Sequence, residues 1–322
     1  MHGIVVVGRG PAVQAHASRY ERFDGVTVCG VVGETDAASS IEVPTHSSVV
    51  SALSETDAEG VDVCGPGFDF AEAVDDALDA GVPVRCDPPF ALHERRFDAV
   101  VSEATDGDGW VLATSPHRFS RLYEQLRSAV EKGSIGDVGV ARVKRTAPFD
   151  GSGWNVTYDG VAGVDGYEGV LCAIAAHDVD ILEWTFGPIE RAFARARAGD
   201  RYDTLHAMLA FRDGGRATVE VTWCGASAPS PHVEVEYSGS HGRLDFEDGT
   251  RSAALWEGAE PLSVDPPEDD CCGRSLRAFA DALRDDEGAS DGVGPTASTR
   301  GAIALRRSIE KGRPVPLAEV SE

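Results

Sequence analysis

The chain has 322 residues, 42% of them hydrophobic, with a formal net charge of -25. That length buries a full core and suits two domains, while so negative a field excludes nucleic acid and anionic membranes as partners. No run is apolar enough to span a bilayer, and the N-terminus enters a strand pattern with no basic, apolar leader, so a cytoplasmic location is expected.

In chain order, Ile4-Val5-Val6-Val7 reads as a strand buried on both faces, as in parallel sheets. Gly8 and Gly10 come next in Gly-x-Gly spacing, then Pro11, whose fixed φ suits the first position of a helix. Strand, glycine turn and helix form the opening of a dinucleotide-binding unit, with Gly8, Gly10 and Pro11 at the pyrophosphate. Val13 stands where a third glycine would fall. Ala12 to Phe23 is predicted helical and Val26 to Val32 a strand. Glu34, then Asp36, lie where a ribose-binding carboxylate is expected, roughly 20 residues past the glycine turn. An acid there disfavours a 2′-phosphate, which places NAD ahead of NADP.

Ile41 to Pro44 is predicted as a strand, Ser48 to Ser54 as a helix and Val61 to Cys64 as a strand, broken by Gly65-Pro66-Gly67. Phe68 to Ala80 (helix), Val82 to Cys86 (strand), Leu92 to Thr105 (helix) and Trp110 to Ser115 (strand) complete an alternating series, hence a doubly wound parallel sheet over residues 1–118. Its ligand edge carries Gly8, Glu34, Pro66 and Asp87, which are the candidate cofactor contacts.

From residue 119 the pattern changes. Ser120 to Lys132 is predicted helical, Val138 to Thr146 a strand, Ala147 to Glu168 a loop and Val170 to Phe186 one apolar helix carrying His177, Asp178 and Asp180. Strands then succeed one another, turning at Asp213-Gly214-Gly215 and Gly239 to Gly242, which implies a largely antiparallel sheet. Helices over Leu276 to Arg284 and Thr296 to Glu310 close an α+β domain spanning 119–322.

The 7 cysteines show no paired CxxC spacing, which argues against zinc and disulfides. Cys29, Cys64 and Cys86 read as small buried hydrophobes, and Cys271-Cys272 as ordinary thiols at a helix start. Lysine occurs only at Lys132, Lys144 and Lys311, and scattered acidic residues with so little lysine resemble proteins of high-salt, haloarchaeal-like cytoplasms.

Several stretches together resemble the glucose–fructose oxidoreductase / inositol dehydrogenase / MocA (Gfo/Idh/MocA) family of NAD(P)-dependent oxidoreductases. They are VDVCGPGFDFAEAVDDALDAGVPVRCDPPFAL, SPHRFSRLYEQLRSAVEKGSIGDVG, EGVLCAIAAHDVDILEWTFG and EYSGSHGRLDFEDG with the closing GRPVPL. The resemblance covers nearly the whole chain. It implies a Rossmann-type domain followed by an α/β substrate and oligomerisation domain, action on a sugar, cyclitol or related polyol, and a homo-oligomer. Where the family has Glu-Lys-Pro, this chain has Asp87-Pro88-Pro89, so its lysine is replaced by Pro88; its helix aspartate falls on Ala173. The family histidine is kept as His177 and the later aspartate as Asp180, which makes these two the candidate catalytic residues. An imidazole titrates near neutrality and can exchange a proton with a substrate oxygen. Asp180, three residues on, could pair with it on one helix face.

Arg118 is a candidate anion contact for the substrate, with His117 beside it, and Tyr158 and Tyr167 (with Trp154) could stack on a sugar. Lys144 could stand in for the missing amine. The losses at Pro88 and Ala173 also admit a catalytically impaired member that binds a nucleotide or sugar as a sensor or partner subunit.

Overall fold

The computed structural model describes residues 1–8, 10–33, 42–64, 70–106, 108–148, 167–199, 202–224, 232–247, 252–257, 260–264, 270–285 and 297–320. It is α/β, and the chain divides into two compact units. One contains Met1–Pro116 and Cys272–Thr299; the other contains His117–Trp154, Val164–Cys271 and Arg300–Glu322.

The first unit is built on a six-stranded sheet: β1 (His2–Gly8), β2 (Val26–Val32), β3 (Thr45–His46), β4 (Ala58–Cys64), β5 (Val84–Cys86) and β6 (Val111–Ala113). Their order is β3-β2-β1-β4-β5-β6, and every pair is parallel. The order in which successive strands are added reverses between β1 and β4, and ligands of such sheets sit at that switch, outside the strand C-termini. Central β1 is closed off from water on both sides (Val5 and Val6 are both 0% exposed), which is why its apolar run does not alternate. One face is covered by the helix Pro11–Tyr20 and by the helix Cys271–Asp285, whose Leu276, Phe279 and Ala280 pack with Ile4, Val6, Val13 and Tyr20. Each large apolar side chain buried there contributes about 2 kcal/mol. The C-terminal part of the chain thus completes the core of the N-terminal sheet.

The strand expected at Ile41 to Pro44 is displaced to Thr45–His46. Glu42 takes a left-handed φ of 55°, turning the chain, and Pro44 has no N–H for the ladder, although its carbonyl accepts from Val31 N at 2.9 Å. Ile41 lies outside the described residues.

The second unit holds a nine-stranded sheet: β7 (Val138–Pro148), β8 (Ile189–Gly199), β9 (Tyr202–Phe211), β10 (Gly214–Cys224), β11 (His232–Gly239), β12 (Arg243–Glu247), β13 (Ser252–Glu257), β14 (Glu260–Val264) and β15 (Val315–Pro316). The order is β14-β13-β12-β11-β7-β10-β9-β8-β15, and only the β7–β10 pair is parallel. Both expected hairpin turns are present, between β9 and β10 and between β11 and β12. In β7 burial alternates: Ala141, Val143 and Arg145 are buried, Arg142 and Lys144 exposed. The exposed row forms cross-strand ion pairs, Lys144 with Glu234 at 2.8 Å and Arg142 with Glu236.

The helix expected over Val170 to Phe186 is not uniform. An α-turn (Tyr167–Val170) runs into a π-helical stretch (Leu171–Ala175) and then into the helix Ala176–Phe186. The wider π-turn inserts about one residue and rotates the helix after it relative to the α-turn before it, a feature that recurs at functional sites. From Ala176 to Leu182 every residue is buried, so the charges on this segment must be paired.

Candidate functional site

In the first unit the glycine turn ends β1. A Cβ on Gly8 would stand 2.6 Å from the Cys64 carbonyl oxygen, so only glycine lets β1 and β4 close together there. Gly10 has φ +60°, and among the described residues nothing lies within 4 Å of where a Cβ would be. It caps the ten-residue helix that Pro11 opens and has no side chain to compete for the helix's first N–H groups. A glycine backbone and a helix start beside the β1/β4 switch fit a pyrophosphate. Val13 is fully buried and packs toward Gly8, occupying the place of the third glycine.

Behind this turn lies a buried chain of charges that the sequence did not reveal. His16 Nδ1 contacts Asp62 Oδ2 at 2.7 Å, Arg85 Nη1 donates to Asp62 Oδ1 at 3.1 Å, and Arg85 Nη2 donates to Asp87 Oδ1. Burial alone would depress His16, but the Asp62 carboxylate, with a contribution from Cys272, lifts its pKa to about 10. Asp87, a candidate cofactor contact, is therefore held by Arg85 at the C-terminal edge of β5.

In the second unit His177 is 3% exposed, Asp178 1% and Asp180 0%. Asp178 is bound by Arg145, whose Nε and Nη2 reach it at 2.7–2.9 Å and whose Nη2 also donates to the Tyr123 hydroxyl at 2.8 Å. Asp180 is bound by Arg118, Nε to Oδ2 at 2.7 Å and Nη2 to Oδ1 at 2.8 Å. Arg118 also lies 5.9 Å from the centre of the Trp184 ring. The His117 ring stands 6.0 Å from that of His177, nearly edge-to-face, and 5.5 Å from Tyr123. Burial, then the Arg145 and His177 charges, push His117 well below the ordinary histidine pKa. Burial pushes Glu183 up to about 7, with Asp180 adding to the rise and the Ile189 N–H, Arg118 and Arg300 opposing it.

The structure thus brings together His177, Asp180 and Arg118 in one unit, and Gly8, Gly10, Pro11 and Asp87 in the other. Glu34, Asp36, Pro66 and Tyr158 lie outside the described residues, and Tyr167 is placed only as the first residue of its α-turn. Lys144 does not stand in for the missing amine near His177: strand alternation puts it on the exposed face with Glu234, and its neighbour Arg145 reaches Asp178 instead. Among the described residues no cluster of His, Cys, Asp and Glu could hold a metal ion.

Residues 123–245 match the GFO/IDH/MocA C-terminal domain. The chain is 25% identical to the myo-inositol 2-dehydrogenase of Thermotoga maritima over 294 residues, 83% of this chain and 82% of that one. Its fold superposes on an oxidoreductase from Agrobacterium radiobacter, solved with NAD+, L-tartaric acid and magnesium, with a TM-score of 0.82 at 14% identity, covering 99% of both chains. A levoglucosan dehydrogenase solved with NADH and L-sorbose superposes with a TM-score of 0.80 at 16% identity, covering 100% of both.

Proposed function

We propose that the chain, which matches the GFO/IDH/MocA C-terminal domain over residues 123–245 and resembles inositol 2-dehydrogenases along most of its length, is an oxidoreductase of that family that transfers hydride between a nicotinamide dinucleotide and a sugar, cyclitol or related polyol. Its relatives include inositol dehydrogenases, and polyol carbons bearing hydroxyls are the chemistry those names state. NAD is preferred to NADP in this reading, on the carboxylates of Glu34 and Asp36 after β2. A homo-oligomer belongs to the same family reading.

The observation that carries the proposal is His177. It is a buried imidazole on a helix whose neighbouring carboxylates are each tied to an arginine, so neither Asp178 nor Asp180 is at liberty to take a substrate proton. Gly8, Gly10 and Pro11 hold the pyrophosphate. The bound nicotinamide supplies the hydride acceptor or donor. His177 removes the hydroxyl proton as hydride leaves the same carbon, or returns it in the reverse direction. Burial excludes competing water from that exchange.

Pro88 and Ala173, both buried apolar residues at the family's lysine and aspartate positions, favour a second reading, in which the chain binds its ligands without turnover. One experiment separates the two. Thermal unfolding in high salt is followed with NAD and with NADP, since a ligand of the folded state raises its apparent stability; nicotinamide fluorescence then reports turnover over a polyol panel. The proposal expects a larger shift with NAD, turnover of at least one polyol, and a loss of about 10²- to 10⁴-fold in His177→Gln. Binding without turnover selects the second reading, and no shift with either dinucleotide overturns the oxidoreductase reading.

A further inference from the structure

The buried charges behind the glycine turn run in one row, from the helix Pro11–Tyr20 through β4 to the end of β5. His16 meets Asp62 at 2.7 Å, Arg85 donates to Asp62 at 3.1 Å, and the other terminal nitrogen of Arg85 donates to Asp87. Asp62 and Arg85 are register partners across the β4–β5 pair. Both side chains are 0% exposed, and the row opens to water most at Asp87, whose side chain is 9% exposed against 5% for His16. Burial works against the Arg85 charge, but the Asp87 and Asp62 carboxylates outweigh it and keep the guanidinium protonated. The Asp87 N–H also donates to the Val63 carbonyl at 3.2 Å, which ties the same residue to β4. Buried ion pairs add little stability over apolar packing. What such a row supplies is placement, and the group it places is the Asp87 carboxylate.

We propose that Arg85, braced by Asp62 and His16, is a positioning residue that sets the Asp87 carboxylate for the nicotinamide half of the dinucleotide. This rests on the reading of the protein as a nicotinamide-dependent oxidoreductase. The sheet order supplies the direction. β2 and β4 flank β1 on opposite sides. The pyrophosphate belongs at the turn that ends β1, and Glu34, the carboxylate expected at the adenosine ribose, follows β2 in the sequence. The other half of the dinucleotide therefore extends over β4 and β5, and Asp87 is the residue that follows β5. Two strand spacings put it roughly 10 Å along the sheet from β1. A carboxylate there accepts hydrogen bonds from ribose hydroxyls. Arg85 serves it in two ways. Its rigid fork, anchored on Asp62, fixes where Asp87 Oδ1 stands. Its charge also offsets that of Asp87, which would otherwise repel the pyrophosphate.

The test uses the full-length protein and two ligands, NAD and ADP, in titration calorimetry. ADP carries the adenosine and the two phosphates but lacks the nicotinamide half. In Arg85→Lys, which keeps the charge and loses the fork, NAD affinity should fall roughly tenfold while ADP affinity stays within about twofold. Asp87→Asn should show the same NAD-selective loss. The double variant should lose no more than Asp87→Asn alone, because Arg85 acts only through Asp87. A merely structural role for Arg85 would weaken both ligands together. Should Arg85→Lys unfold, His16→Gln, at the far end of the row, is measured in its place, and a NAD-selective loss of roughly threefold or more is expected. Equal losses for the two ligands, loss for neither, or additive losses in the double variant overturn the proposal and leave the dinucleotide reading standing. A wild type that binds neither ligand overturns that reading, and the placement role with it.

Discussion

Arg118 binds Asp180 through two parallel hydrogen bonds, Nε to Oδ2 at 2.7 Å and Nη2 to Oδ1 at 2.8 Å, with the carboxylate wholly buried. Taken singly, the two residues suggest a substrate anchor and a catalytic acid. Together they form a closed, bidentate pair that ties the short helical turn Pro116–Phe119 to the helix bearing His177. Their shared effect is to fix where His177 stands.

Breaking this pair leaves a buried charge without its partner. Arg118→Ala and Asp180→Ala should each cost about 3–5 kcal/mol in urea unfolding, while the double variant should cost clearly less than the sum. Additive losses would show that the two side chains do not act as a pair.

The glycine turn makes a steric prediction. In Gly8→Ala the new methyl meets the Cys64 carbonyl at 2.6 Å and the Cys64 sulfur at 2.9 Å. Backbone must shift, so stability should fall by about 1–3 kcal/mol. Dinucleotide affinity, read by titration calorimetry, should fall as well, because the same shift moves the helix start. Unchanged affinity in the folded variant would remove Gly8 from the cofactor site.

His16 predicts a dependence of stability on pH. Its folded pKa, about 10, lies above the unfolded value of 6.5. A group raised in this way stabilises fully below its unfolded pKa, and the contribution is lost as pH rises toward its folded pKa. The stability gap between wild type and His16→Gln should therefore narrow between pH 6.5 and about 10, by an amount on the order of 2–4 kcal/mol. Denaturation series at several pH values measure it, and a gap independent of pH would contradict a charged His16.

Glu183 has the same sign for a different reason. Burial raises its carboxyl from 4.5 to about 7, so ionising it costs folding energy as pH rises through that window. Glu183→Gln keeps an oxygen to accept from the Ile189 N–H and removes the charge. The variant should gain stability relative to wild type, by roughly 1–3 kcal/mol above pH 7 and little below pH 4.5. Equal stabilities at pH 8 would count against the raised carboxyl.

Much of the architecture was legible in local signals. The β-branched run of β1, the Gly8–Gly10 turn, Pro11 at the helix start and the glycine hairpins each depend on residues close in the chain, so period and turn chemistry expose them. The choice of a Rossmann-type sheet followed by a largely antiparallel one depends on the order of such segments, and the structure has that arrangement. His177 could be singled out because it sits in a stretch that resembles a family motif.

What the tertiary structure decided is which charges meet. Arg118 reaches Asp180 across 62 residues, Arg145 reaches Asp178 across 33, and His16 reaches Asp62 across 46. No spacing rule connects such positions. The pairing of Arg145 rather than Lys144 turns on strand parity, since neighbours in β7 point to opposite faces and only one face is buried. The π-turn before Ala176 is hidden in the same way, because Leu171–Ala175 has the composition of an ordinary helix and its extra residue shows only in the hydrogen bonds. The sequence by itself thus determined the scaffold and the presence of an imidazole. Packing determined which arginine holds each carboxylate beside that imidazole, because burial makes each unpaired charge too costly to keep.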